Sequence, residues 1–521
     1  MIRRRTQQFA YYVVSTVAFI TSLAPARVTV PDVLSDGMVL QRGAKVPIWG
    51  TADPGESITV RFASQTKKTI AGPDGKWRVE LSALHASSNP RSLTIVGTNT
   101  LEIRYVLVGE VWLVAGQSNM QLTLPETANG EAAAAAADDR LLRLFNVSRK
   151  VAFRHAGGPL GQWAPSSPQS VKEFSAAGYY FGAELLRALH VPVGIINASY
   201  GGSQAEAWTP IEYLVANPDL RRCVEREKIW NQERPRVQAE YDQKVSEWRA
   251  AVEKAKQEGA RPPRAPAVPD ALREYRIAAS IYSGMIEPLV PFAIRGAIWY
   301  QGESNEERAQ QYGILLPTMI SAWRVRWGEG RFPFGIVQLP NYRDPQSEPM
   351  DEAWSFLREA QRRTSMSTRN SGLIVTIDLG EAHDIHPKDK LDVGKRMARW
   401  ALADAYHRQI TPSGPMLRAA RLQGSKIIVT FTDAGKGLRL RHGDRLEEFA
   451  IAGADHEWHW ASAEIVGKDR VEVRSQSVPH PVAVRYAFNS NPRNPNLTND
   501  TGLPAAPFRT DDWPDPTDGR R

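Results

Sequence analysis

Four short segments of this 521-residue chain carry the side chains that acyl transfer uses, and each follows an apolar run. Gly116-Gln117-Ser118-Asn119 follows residues 111–115, and Asn197-Ala198-Ser199-Tyr200-Gly201-Gly202-Ser203 follows a second run. Gln301-Gly302-Glu303-Ser304-Asn305 follows a third, and "DLGEAHDIHP", with Asp378, Asp384 and His386, closes a fourth. A serine hydroxyl is a poor nucleophile until a histidine takes its proton, and a carboxylate must hold that histidine in the right tautomer. The oxyanion that then develops needs donors already aimed at it. Ser118, His386 and Asp384 fill the first three roles. The Ser118 backbone N–H, the Gly201-Gly202 pair and the Gln301 side-chain amide fill the others. Glu303 is expected as a buried ion-pair partner that supports the site, and Asn119 as a second supporting residue.

Each residue alone has a plainer reading. A serine at a strand-to-helix turn is more often a helix cap than a nucleophile, His386 before Pro387 can be a loop histidine, and Gly201-Gly202 can be a turn. Their joint occurrence at successive strand ends favours chemistry, because ligands of open α/β sheets bind outside the carboxyl ends of the strands.

The elements that must position these residues follow from the pattern. Near-continuous apolar runs such as "EVWLVAGQ", "VPVGIINASYGG", "IRGAIWYQGESN", "FPFGIVQLP" and "GLIVTIDLG" read as buried parallel strands. Between them, "SAAGYYFGAELLRAL", "QQYGILLPTMISAWRVRWG" and "KLDVGKRMARWALADAY" read as helices. This succession predicts a three-layer α/β domain over 107–410. A charged insertion, 219–276, reads as a helical hairpin or arm ending in the proline-rich "RPPRAPAVPD", a solvated excursion with no role in the site. The alanine run 132–137 reads as helix, with Asp138 and Asp139 near its end. Short alternating strands with turn signals predict a β-sandwich over 27–106, and the texture returns to β over 411–513, followed by a tail at 514–521.

At the start, three arginines precede an apolar run that ends on small residues at Ala24 and Ala26, the order of a cleaved secretory signal over 1–26. The run is short for a membrane span, so the mature protein is expected to be exported, periplasmic or extracellular, without stable membrane insertion. Losing Arg3, Arg4 and Arg5 takes the formal charge from +8 to +5. That mild surplus, with no basic stripe interleaved with aromatics, argues against nucleic acid as a partner. The single cysteine, Cys223, cannot form an intramolecular disulfide, and its charged helical setting without a nearby histidine does not suit a catalytic thiol. His456 and His459, in "HEWH", lie in a predicted β hairpin among tryptophans with no third ligand, so they read as packing or surface residues and no metal is expected.

Taken together, "GEVWLVAGQSNMQ", "FSAAGYYFGAELL", "VPVGIINASYGGSQAEAWTP", "AIWYQGESN", "DLGEAHDIHP" and "GLPAAPFRTDDW" resemble the sialate O-acetylesterase family of the SGNH hydrolase superfamily, in the same order from about Val30 to Trp513. The resemblance implies a secreted carbohydrate esterase with a flavodoxin-like SGNH core flanked by β-sandwich-like modules, acting on an O-acetylated sugar without a cofactor. It places the nucleophile on Ser118, the catalytic histidine on His386, the second-block glycine on Gly201 or Gly202, and an oxyanion donor on Gln301. The superfamily pattern puts the acid three residues before the histidine, where this chain has His383. Asp384, two before, is the acid expected, with Asp378, Glu381 or a backbone carbonyl as alternatives.

Two other classes fit parts of the pattern. A non-catalytic glycan-binding protein would account for the β modules and the 15 tryptophans, but not for serine, glycine, glutamine and histidine gathered at strand ends. A lipase or peptidase would carry G-x-S-x-G, whereas this segment ends on Met120. Among acetylated sugars, 9-O-acetylated sialic acid comes first, with acetylated xylan or pectin as the alternative. Oligomeric state is not legible in the sequence.

Overall fold

The computed structural model describes residues 27–151 and 160–520; the expected signal at 1–26 lies outside them. The chain first lays down β1 (Val39–Gln41), β2 (Val46–Thr51), β3 (Ser57–Phe62), β4 (Gln65–Ile70), β5 (Lys76–Leu81) and β6 (Ser87–Val96). β5 alternates exposed and buried residues along its length, with Trp77, Val79 and Leu81 inward, as a half-buried strand does. β2 pairs with β5, and β3 with β4 and β6.

The next strand, β7 (Thr100–Gly116), runs straight through the boundary expected at 106 and 107. Its first part pairs antiparallel with β6, and its second part becomes the middle of the central sheet. Burial changes along it from mixed to continuous, which is what a strand shows when it passes into a sheet covered on both faces.

The central sheet adds β8 (Asp139–Asn146), β9 (Trp163–Ser166), β10 (Val193–Ser199), β11 (Gly296–Tyr300), β12 (Phe334–Val337) and β13 (Ser371–Ile374). Their order is β13-β12-β11-β7-β10-β8-β9. Every pairing on this path is parallel except β8 with β9, which is antiparallel. The sheet expected to be parallel is therefore mixed, with an antiparallel strand at one edge.

The helices are α1 (Ser118–Gln121), α2 (Gly130–Ala135), α3 (Ala176–Leu189), α4 (Ile211–Ala216), α5 (Pro218–Gln257), α6 (Ala309–Trp327), α7 (Ala353–Ser367) and α8 (Lys390–Asp404). Successive residues of β7 face opposite layers. Val111, Leu113 and Ala115 share a core with Leu316, Met319 and Trp323 of α6 and Leu357 of α7. Trp112 and Val114 share another with Phe181 of α3 and Met397 and Trp400 of α8. Helices thus cover both faces of the sheet.

Of the hairpin or arm expected, the insertion forms an arm, with the irregular proline-rich stretch following the 40-residue helix α5. No glycine interrupts it before Gly259, and pairs such as Arg236 with Glu240 and Gln243 with Glu247 support it at i,i+4 spacing. After residue 411 the chain forms further antiparallel sheets. One joins Met416–Gln423, Lys426–Thr432, Arg470–Arg474 and Ser462–Ile465, and another joins Trp458–Trp460, Phe449–Ala452, Ala483–Tyr486 and Phe508–Arg509. Val429, Phe431, Ile451, Tyr486 and Phe508 fill the core they share. Among the described residues, no helix is long and apolar enough to cross a membrane.

Candidate active site

β7 ends on Gly116, whose φ of +147° and whose approach to β11 both require glycine: a Cβ there would lie 2.1 Å from the Tyr300 carbonyl oxygen. The Gln117 N–H donates to that same oxygen at 3.1 Å. The chain then turns at once into the four-residue helix α1. Its cap position is Gln117, which makes no side-chain capping bond, and Ser118 is the first helical residue. Ser118 is not serving as a cap, and it is partly exposed while Gln117 and Asn119 are buried. Its own N–H, in the first turn of a helix, has no intrahelical acceptor.

His386 lies in the loop between β13 and α8. The Asn119 amide donates to the Ile385 carbonyl at 3.0 Å and to Glu303 Oε1 at 2.6 Å. The residue beside Ser118 thus holds the residue beside His386. Burial lowers the His386 pKa below its ordinary value, with Asp384 pulling the other way and Lys390 and Lys388 adding to the fall. The imidazole is therefore neutral near pH 7, the form a general base needs.

The three candidate acids separate clearly. Asp384 Oδ1 lies 3.7 Å from His386 Nδ1, and it accepts the His386 backbone N–H at 2.8 Å. That main-chain bond, first among several causes, holds the Asp384 carboxyl below its usual range. Asp384 acts on the ring through charge rather than through a short hydrogen bond. Asp378 is committed elsewhere, to Arg396 at 2.6 and 2.8 Å and Arg441 at 2.6 Å. Glu381 accepts the Lys388 backbone N–H at 2.9 Å.

The expected oxyanion donors also separate. Gly201 packs on the serine, since a Cβ there would lie 3.5 Å from Ser118 Cβ, but its N–H already donates to Gln121 Oε1 at 2.7 Å. Gly202, at φ +73°, has no acceptor for its N–H among the described residues. Gln301 corrects the expectation placed on it. It is fully buried, and its amide donates to Asn305 Oδ1 at 2.7 Å and the Ser203 carbonyl at 3.2 Å. Both hydrogens are taken by the segments it braces, so none faces an oxyanion.

Three residues that sequence reasoning missed join the site. Gln121 holds the Gly201 N–H. Lys390, fully buried at the start of α8, donates to Asn119 Oδ1 at 2.8 Å and the Pro387 carbonyl at 2.7 Å. Tyr275, on the return of the insertion, stacks on Tyr200 with ring centroids 4.9 Å apart and borders Gly202. The Arg276 Nε donates to the Gly202 carbonyl at 3.2 Å. The insertion, expected to be a bystander, therefore walls one side of the Tyr200–Gly202 segment, whose Gly201 packs on Ser118. An aromatic in the segment that must return to the core was the available signal for Tyr275. Lys390 left only its place at the head of an apolar-patterned helix.

The base of the insertion is fixed by charge. Burial opposes ionisation of Glu206, yet Arg308 and Arg226, the latter from α5, hold its carboxyl down at about 2. Those pairs measure 2.7 and 2.5 Å, and Asn305 donates to the other oxygen at 2.9 Å. Burial pushes the neighbouring Cys223 thiol up to about 12, which leaves it inert as a nucleophile. His456 stacks on Trp513 at 3.8 Å, and no group of three His, Cys, Asp or Glu among the described residues has the geometry of a metal site.

The family described as "Carbohydrate esterase, sialic acid-specific acetylesterase" matches residues 108–259 and 270–403. The human sialate O-acetylesterase is 26% identical over 520 residues, covering 91% of each chain. The rat sialate O-acetylesterase is 26% identical over 465 residues, covering 82% of this chain and 83% of its own. Among solved structures, a carbohydrate acetylesterase from Xanthomonas citri superposes with a TM-score of 0.78 at 35% identity, over 93% of this chain and 100% of its own.

Proposed function

The chain belongs to the sialic acid-specific carbohydrate acetylesterase family, and from that premise we propose that it is an exported serine esterase that removes O-acetyl groups from sugars through Ser118 and His386. The observation that carries this reading is the hydrogen bond from Asn119 to the Ile385 carbonyl, which ties the serine turn to the histidine loop. Residues 107–410 are taken as an SGNH core with the insertion 219–276, between β modules at 27–106 and 411–513. Residues 1–26 are taken as the export signal that leads to the periplasm or the exterior.

In this mechanism His386 takes the Ser118 proton as the oxygen attacks the acetyl carbonyl. The oxyanion is held by the N–H groups of Ser118 and Gly202, and Asp384 stabilises the imidazolium that forms. His386 then gives the proton to the departing sugar oxygen, leaving acetyl on Ser118. Water, deprotonated by His386, attacks that ester, and acetate leaves as the proton returns to the serine. The first substrate proposed is a 9-O-acetylated sialic acid. Acetylated xylan or pectin is the second. Acetate release from these three by the wild type and by Ser118→Ala tests the reading; turnover by Ser118→Ala would sink it.

A further inference from the structure

Beneath the serine turn lies a set of polar groups that the mechanism above does not use. Asn119 spends its whole side chain there. One face of its amide donates to Glu303 Oε1 and the Ile385 carbonyl, and its oxygen accepts from Lys390 Nζ. Lys390 Nζ also donates to the Pro387 carbonyl. The two carbonyls that flank His386 are therefore both held, one by Asn119 and one by Lys390, and Asn119 is the chain neighbour of Ser118. The Lys390 ammonium sits 5.5 Å from the centroid of the Tyr300 ring, on the strand whose end carbonyl fixes Gln117.

This is a costly place for a lysine. It is fully buried, and it occupies the first position of α8, where the helix dipole disfavours a cation. Replacing a buried ion pair by apolar residues of similar volume is often neutral or stabilising, so stability gives little reason for this choice. Burial first, opposed by Glu303, brings the Lys390 ammonium down to about 7, and burial raises the Glu303 carboxyl, whose Oε2 has no partner among the described residues.

We propose that Lys390, acting through Asn119 and the Pro387 carbonyl, is a positioning residue that sets the approach of His386 to Ser118. The proposal rests on the assignment of those two residues above. It also gives Lys390 an electrostatic effect. The charged groups that act on His386 are Asp384 and Lys388 from its own loop, Glu126 from the turn Leu124–Glu126, and Lys390 from α8. Lys390 is one of two cations that disfavour the imidazolium, so removing its charge raises the pH at which His386 loses its proton.

The test uses the full mature chain as wild type, Ser118→Ala, Lys390→Met, Lys390→Arg, Glu303→Gln and the double variant Lys390→Met/Glu303→Gln. For each, kcat and KM for 4-nitrophenyl acetate are followed against pH, together with the rate at which a fluorophosphonate labels Ser118, and folding is checked by thermal melting. Lys390→Met is expected to lower kcat and the labelling rate together by about tenfold or more, with KM within about twofold. The acid limb of kcat/KM should move to higher pH, whereas Lys390→Arg, which keeps the charge, should leave the limb in place. Should Lys390→Met alone fail to fold, the double variant, which leaves no charge unpaired, is expected to fold and to show the same losses. A folded variant lacking the Lys390 charge, with unchanged kcat, labelling and limb, overturns the positioning role while leaving Ser118 as nucleophile. Turnover by Ser118→Ala, or labelling of the wild type at another residue, overturns the mechanism and this proposal with it.

Discussion

Two carboxylates with buried oxygens, Glu206 at the base of the insertion and Glu303 beneath the Ser118 turn, are treated in opposite ways. Glu206 is saturated, with Arg226 and Arg308 on one oxygen and Asn305 on the other. Glu303 has Asn119 on one oxygen and no partner on the other among the described residues, and its cation, Lys390, reaches it through the same asparagine. The cost of burying a charge is offset by pairing in the first cluster and only partly in the second. The saturated cluster fastens the base of the insertion. The under-paired one touches the chain neighbours of both Ser118 and His386. Groups with displaced ionisation gather where function needs them, and the contrast separates a cluster that holds structure from one spent on geometry.

Ser118→Ala should cleanly isolate the second role. It is expected to lower kcat roughly 10⁴-fold, about 5.4 kcal/mol of barrier, while leaving the melting temperature unchanged. A comparable loss of stability would mean that the serine turn is structural as well.

Glu206→Gln probes the first cluster. It leaves Arg226 and Arg308 facing a neutral amide and should cost about 3–5 kcal/mol in urea unfolding. The two clusters also act in different pH windows. Glu206 is held at about 2 when folded against an ordinary 4.5, so between those values the unfolded chain binds more protons and stability falls as pH drops through that window. Lys390 is held at about 7 when folded against an ordinary 10.5, so the unfolded chain again binds the extra proton and stability rises with pH from about 7 upward. Glu303, raised by burial, acts with the opposite sign just above the ordinary carboxylate range. Unfolding midpoints across pH 3 to 10 should show the low window vanish in Glu206→Gln and the high one vanish in Lys390→Met.

Gln301→Leu distinguishes a brace from an oxyanion donor. As a brace it leaves the Ser203 carbonyl without its donor and the Asn305 oxygen with only the Ala205 N–H, costing about 1–3 kcal/mol of stability, with kcat within tenfold. An oxyanion donor would instead cost about 10²–10³ in kcat, and that result would restore the expectation drawn from the sequence.

The sequence showed which residues gather, because each candidate followed an apolar run and parallel strands end on the same side of a sheet. It did not show which way their side chains turn. Gln301 and Gly201 stand where the pattern put them, but their donors are claimed by Asn305, four residues further along the Gln301 segment, and by Ser203 and Gln121, which only the folded chain brings near. In "HPKDK" nothing but its place at the head of a helix pattern sets Lys390 apart from Lys388, and only the packing of α8 against the sheet buries it. The strand β7 looked like two elements because its alternating and continuous halves match different templates; one strand spans both, with its register against β6 shifting between Ile103 and Val106. The insertion looked solvated along most of its length, and it is; its two ends, at Arg226 and Tyr275, carry the contacts that matter.

Those ends lead to the smallest effect. Tyr275→Ala removes one ring of the stacked pair beside Gly202 while leaving the Glu206 cluster and the Asn119 network untouched. If the ring contacts the sugar, KM should rise about three- to tenfold, near 1 kcal/mol, the scale of an aromatic contact. The kcat, the labelling rate of Ser118 and the melting temperature should stay close to wild type, and Tyr275→Phe should restore KM. A fall in kcat at constant KM would instead show that the insertion reaches the reacting atoms. The saturated and under-paired clusters would then belong to one catalytic unit rather than to a structural and a chemical half.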